Sequence, residues 1–167
     1  MITDLKSWKA ELLHAGRIVQ DGDVSVEPEE AHRRFMRFVE IVDSLEGNEG
    51  PEVVDALFEA IQVEDSYGAY HSIDHALARF PESYYLLGLI KALPRLIAEL
   101  PDQAGDQLAS IANGVGGKWE YQIALFNQAV REAENSIQVA IVSFIRQQEI
   151  QRGWLDHRVW VLCPPLV

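Results

Sequence analysis

Residues 51–101 read PEVVDALFEAIQVEDSYGAYHSIDHALARFPESYYLLGLIKALPRLIAELP. Val54, Leu57, Phe58 and Ile61 recur at steps of three and four, which puts them on one helical face, while Glu52, Asp55 and Glu59 fall on the opposite one. Pro51 is well placed to open this helix, because a first-turn residue needs no amide hydrogen. Tyr70, Ile73, Leu77 and Phe80 repeat the apolar stripe behind Asp65 or Ser66, either of which can cap a helix. Pro81 ends that segment and starts the next, Tyr84 to Leu100, in which Pro94 lacks a donor and crowds the carbonyl four residues back. Three consecutive amphipathic helices are expected, the last kinked at Pro94.

The pattern extends in both directions. Upstream, Leu5, Trp8, Leu12 and Val19 share a face of a first helix over residues 4–19, with Thr3 or Asp4 as its cap. A loop follows at 20–27, and Phe35, Phe38, Val42 and Leu45 mark a second helix from Pro28 to Leu45, closed by EGNEGP. Downstream of Pro101, Ala104, Leu108 and Ile111 define a short helix, NGVGG at 113–117 is a connector, and Trp119, Ile123, Phe126 and Val130 mark another helix. Ile137 to Gln151 reads as the last one. Its β-branched IQVAIV could form a strand, but no second convincing strand exists to pair with it. Gly153 caps that helix, and WLDHRVWVLCPPLV forms an apolar tail that packs back, since Trp154, Trp160 and Leu162 would otherwise face water.

Helix pairs begin near Pro51, Glu82 and Lys118, at spacings of 31 and 36 residues, close to the rhythm of stacked helical hairpins. The expected fold is all-α: a single domain, 1–167, of antiparallel helical hairpins in a HEAT- or armadillo-like array, with an irregular helical bundle as the alternative. Residues 1–50 form an N-terminal helical pair, 51–152 the stacked hairpins and 153–167 the tail. A chain of 167 residues can bury a real core without disulfides or metal, and 48% hydrophobic with 24% charged residues argues against disorder and membrane insertion.

Charge narrows the partners. A net charge of −12 opposes direct nucleic-acid binding, which needs clustered Lys and Arg to displace phosphate counterions. Between Arg37 and Arg79 there is no Lys or Arg, yet ten acids occur, among them Glu49, Glu52, Asp55, Glu59, Glu64 and Asp65. A basic partner suits this interval; the competing explanation is that acidity keeps the protein soluble. Cys163 is the sole cysteine, so no internal disulfide forms, which suits a reducing cytoplasm. The N-terminus lacks the apolar core of an export signal, and the longest apolar run, 139–145, is broken by Ser143 and too short to cross a bilayer. A cytoplasmic protein without membrane contact is expected.

Catalytic and metal motifs are weak. His71 and His75 stand four residues apart with Asp74 between them, but Ser72 replaces the glutamate of the zinc-protease motif and no third ligand is evident. Glu64 and Asp65 suit a helix start, where acids meet the positive end of the dipole, better than a catalytic pair. NGVGGK lacks the spacing and hydroxyl of a phosphate loop, and Cys163 has no nucleophile motif around it. No metal, cofactor or catalytic residue is assigned. Among the tyrosines near the acids, Tyr70 follows the inward stripe, leaving Tyr67 and one of Tyr84 and Tyr85 as surface candidates.

The block ALFEAIQVEDSYGAYHSIDHALARFPESYY followed by LIKALPRLIAELP resembles the helical immunity proteins of bacterial contact-dependent growth inhibition and polymorphic toxin systems. It covers mainly residues 51–113, through an acidic helix ending in ED, a helix ending in FP, and ALPRL before a further proline. The resemblance implies a non-enzymatic protein that binds a cognate toxin domain, often a nuclease, with its acids in the place of nucleic-acid phosphates. Glu49, Glu52, Asp55, Glu59, Glu64, Asp65 and Tyr67 are then the expected contacts. A general helical adaptor without a toxin partner is the alternative.

Overall fold

The structure is a computed structural model and describes residues 2–151 and 161–164. Among the described residues there are eight helices and no strand: α1 (Leu5–Gly16), α2 (Pro28–Asp43), α3 (Pro51–Glu59), α4 (His71–Leu77), α5 (Glu82–Glu99), α6 (Pro101–Ala112), α7 (Glu120–Glu132) and α8 (Asn135–Gln151). The fold is all-α with helical hairpin packing, and IQVAIV lies inside α8. Contacts gather into two compact units, Met1–Leu89 and Ile90–Val167, and α5 carries the chain from one to the other.

In the first unit α1 and α2 form the most extensive pair; α3 lies against α1, and α4 against α2. Leu12, Phe38, Val42, Val54, Leu57, Phe58, Ile61 and Ile73 are all buried, so the apolar stripes of four helices supply one core. A Cβ added at Gly88 would lie 2.8 Å from Val54 Cγ1, so the start of α5 reaches α3 only because that position is glycine.

Boundaries depart from the periodicity where tertiary contacts pin the backbone. α1 ends at Gly16, not residue 19: a Cβ there would sit 2.8 Å from the Ala60 carbonyl oxygen, and the Gly16 carbonyl accepts a bond from Tyr70 Oη at 3.1 Å. Val19 therefore falls outside the helix, Leu5 is exposed and Trp8 half-buried, leaving Leu12 as the core residue of the expected face. α4 begins at His71 because Tyr67 and Gly68 take φ of +49° and +86°, which no right-handed helix allows. Asp65 and Ser66 cap the turn before it instead, accepting from the amides of Tyr67 at 2.9 Å and Tyr70 at 3.4 Å. α5 continues through Pro94 as one helix. Trp119 stands just before α7 and is 49% exposed rather than inward.

Tyr70 ties the first unit together. Its ring is buried, edge-on to Phe38 at 5.8 Å between centroids. Besides donating to Gly16, its hydroxyl accepts from the amides of Gln62 at 2.9 Å and Val63 at 3.2 Å. The end of α2 is held by a second knot. Arg79 Nη1 donates to the carbonyls of Asp43 at 3.2 Å and Leu45 at 2.7 Å, satisfying acceptors that a helix end leaves open. Beside it, Gly47 has φ +92°, and a Cβ would meet the Arg79 carbonyl oxygen at 2.3 Å.

In the second unit α6 packs on α7 and α7 on α8, burying Leu108, Ile111, Phe126, Val130, Ile141 and Ile145. The C-terminal stretch 161–164 includes Leu162, which is buried; Gly153, Trp154 and Trp160 lie outside the described residues.

Tyr70→Phe keeps the ring but leaves two amides without their acceptor, so urea unfolding should show a loss of about 1–3 kcal/mol with helical circular dichroism retained. Gly47→Ala meets both a left-handed backbone and the Arg79 carbonyl and should cost more than about 1 kcal/mol in the same measurement. Gly105→Ala, in α6 with open space around it, should instead stabilise by about 0.5–1 kcal/mol. Equal effects at the two glycines would contradict this packing.

Candidate functional site

The charge divides unevenly between the units. The first holds 18 of the 26 acidic and 7 of the 14 basic side chains, so 7 minus 18 leaves −11 of the chain's −12 there. Part of this charge is compensated, by pairs within α2 and by one between α2 and α1. Arg37 bridges Glu11 at 2.7 Å and Glu40 at 2.8 Å, and Glu30 holds Arg34 at 2.7 Å and Arg33 at 2.9 Å. Within the interval free of Lys and Arg, Glu59 is nevertheless paired: Lys9 reaches it from α1 at 2.6 Å.

The seven expected contact residues fall into three settings. Glu52, Asp55 and Glu59 follow one another along α3, where Glu52 and Glu59 are exposed, Asp55 is half-buried, and Glu52 lies in the first turn, favoured by the helix dipole. Glu64, Asp65 and Tyr67 come together in the turn before α4, all exposed. Glu49 is different: its carboxylate folds back on its own loop, accepting from the amides of Glu46 at 2.7 Å and Gly47 at 2.9 Å. Burial, the largest single effect, pushes its carboxyl up, but those amides with its own and that of Asn48 outweigh it and hold the group below the usual range. Glu49 therefore shapes the loop that presents α3.

Beside the Tyr67 turn lies an open cleft of about 320 Å³, lined by Ile18, Val19, Asp21, Ala31, His32, Phe35 and Tyr67. The periodicity of the chain assigns Val19 and Phe35 to the core; both are half-buried and form its apolar wall. Tyr67 stands at its edge, 44% exposed, with a positive φ that bulky residues seldom adopt. Its hydroxyl accepts from the Asp21 amide at 2.9 Å, and Gln20 Nε2 donates to the carbonyls of Ile18 at 3.0 Å and Asp65 at 2.9 Å. The loop after α1 and the turn before α4 are thus locked together across more than 40 residues of sequence. Nothing in the local sequence signals this, because the contact depends on where α1 stops.

Other chemistries find less support. His71, Asp74 and His75 are exposed on α4, and among the described residues no group of three or more His, Cys, Asp or Glu is placed to hold a metal ion. Burial raises the Cys163 thiol to about 11, against smaller opposing effects of Arg146 and Arg131, which keeps it a protonated thiol at neutral pH. Tyr84 and Tyr85 are both half-buried. Tyr85 packs 6.1 Å from the Phe58 ring, and its hydroxyl is held above its usual range by burial and then by Asp74 and Glu82. Tyr67 is thus the better-exposed aromatic of the three. No helix among the described residues is long and apolar enough to cross a membrane.

No protein-family model matches this chain, and no curated protein or solved structure does either.

A carboxyl depressed in the folded protein contributes stability at neutral pH that is lost as the pH falls past the unfolded-chain value of 4.5 and through the lower folded one. Thermal unfolding followed from about pH 6 to about pH 3 should therefore fall less steeply in Glu49→Gln than in the native chain. Superimposable pH profiles would show that Glu49 does not couple to folding.

Proposed function

We propose that this protein is an immunity protein: it binds a cognate bacterial toxin domain of basic charge, a nuclease domain in particular, and neutralises it in the cytoplasm. The observation that carries this reading is the concentration of −11 charges in the first unit against −1 in the second. A field of one sign accelerates encounter with a cationic protein and disfavours anionic competitors, nucleic acid included. Glu52, Glu64 and Asp65 supply exposed carboxylates, and Tyr67 supplies an aromatic anchor. Its backbone and hydroxyl are already held, so docking on it costs less ordering than docking on a free side chain. The resemblance of residues 51–113 to helical immunity proteins points the same way.

A second reading, a general helical adaptor, draws on a different feature. Trp119, Tyr121 and Leu125 are exposed in the second unit, with the two rings 6.1 Å apart and Lys118 Nζ 4.8 Å from the Trp119 ring centroid. An adaptor using this face would bind independently of salt and lose its partner in Trp119→Ala.

If the adjacent upstream gene encodes a large secreted protein with a variable C-terminal domain, co-expression with that domain should protect cells from it; continued killing despite soluble expression would reject the pairing. With the purified pair, Glu52→Lys combined with Glu64→Lys should weaken binding at least about tenfold and flatten its salt dependence. Glu59 is left intact there because its reversal would break the bond to Lys9.

A further inference from the structure

The open cleft beside the Tyr67 turn joins two surfaces of opposite character. Val19 and Phe35 form an apolar wall, and Asp21, His32 and Tyr67 stand exposed at its rim; neither Lys nor Arg lines it. Asp21 is bonded through its backbone amide, to Tyr67 Oη at 2.9 Å, and its carboxylate has no partner among the described residues. That carboxylate is nevertheless carried on a fixed main chain. The preceding residue, Gln20, bridges the carbonyls of Ile18 and Asp65 through Nε2, so the rim is set before any ligand arrives.

The two surfaces together narrow the ligand. A wholly apolar group would desolvate the Asp21 carboxylate without pairing it, and an inorganic cation would leave the apolar wall against water. An arginine side chain answers both: its methylene stem lies on apolar surface, while its planar guanidinium pairs with a carboxylate and stacks on an aromatic ring. A cleft of about 320 Å³ is at the lower end of the range for ligand pockets, which suits one such side chain better than a folded segment. The surrounding charge has the matching sign, since the first unit carries −11. We propose that this cleft is the seat for an arginine side chain of a basic partner protein, its stem against Val19 and Phe35 and its guanidinium at the Asp21 carboxylate and the Tyr67 ring. The proposal rests on the reading of a cationic partner given above and adds the residue by which that partner is anchored.

The probe is N-acetyl-arginine N-methylamide, titrated at low salt into the full-length, isotope-labelled chain, with the citrulline analogue, similar in shape but uncharged, for comparison. The arginine probe should shift the amide resonances of residues 18–21, 31–35 and 67 and bind at least about fivefold more tightly than the citrulline probe. Asp21→Asn, a near-isosteric change at an exposed position that keeps the backbone bond, should remove that preference, and Glu52→Gln on α3 should keep it. Equal binding of the two probes, which would make the cleft an apolar pocket only, overturns the proposal. So does a preference indifferent to Asp21, or one whose shifts spread along α3. Neither probe contains a toxin, so a negative titration refutes the arginine seat while toxin neutralisation is judged separately by co-expression.

Discussion

One oxygen atom organises the first unit. The Tyr70 hydroxyl joins the carbonyl ending α1 to two amides following α3, from a helix start that packs on α2 through Phe38. Each of those backbone groups would otherwise be an unpaired polar group in an apolar surrounding, a more serious loss than a missing contact of ordinary kind. Gln62 extends the junction by donating to the Leu13 carbonyl at 2.7 Å. Because α1 must stop at Gly16 to meet Tyr70, residues 17–21 leave the helix and run beside the Tyr67 turn. The cleft is a by-product of that junction, and the strained backbone at Tyr67 is held by the same neighbourhood.

The acids of the first unit are poorly explained as folding devices. Exposed ion pairs such as Lys9 with Glu59 contribute at most about 1 kcal/mol each, and a net charge far from zero repels itself in the compact state. Some carboxylates do structural duty, as Glu49 does for its loop and Glu40 for Arg37. Charge left in excess of such duty is available to water or to a partner of opposite sign. The second unit is nearly neutral in its charge balance and exposes Trp119, Tyr121 and Leu125 instead.

Much of the architecture was legible in the order of residues. Val54, Leu57, Phe58 and Ile61 in α3, Ala104, Leu108 and Ile111 in α6, and Ile123, Phe126 and Val130 in α7 are buried as their spacing requires. Misread were residues at helix ends: Val19 and Trp119 match the helical period yet lie outside the helices, because hydrophobic spacing does not record where a backbone is forced to turn. The site was legible in part. The acidic interval and Tyr67 stood out by composition, whereas the compensation of Glu59, the inward turn of Glu49 and the cleft wall of Phe35 did not.

By itself, then, the sequence determined the all-α class, the position of most helices and their buried faces, because a helix closes its hydrogen bonds within four residues and its periodicity is local. Tertiary structure decided the pairing of Glu11 and Glu59, where α1 ends, how the Tyr67 hydroxyl is held and the hold of Asn127 and Arg146 on the carbonyls of Val161 and Leu162. Those outcomes rest on bonds between groups 16 to 54 positions apart, and a directional bond between two single atoms leaves no repeating trace along the chain.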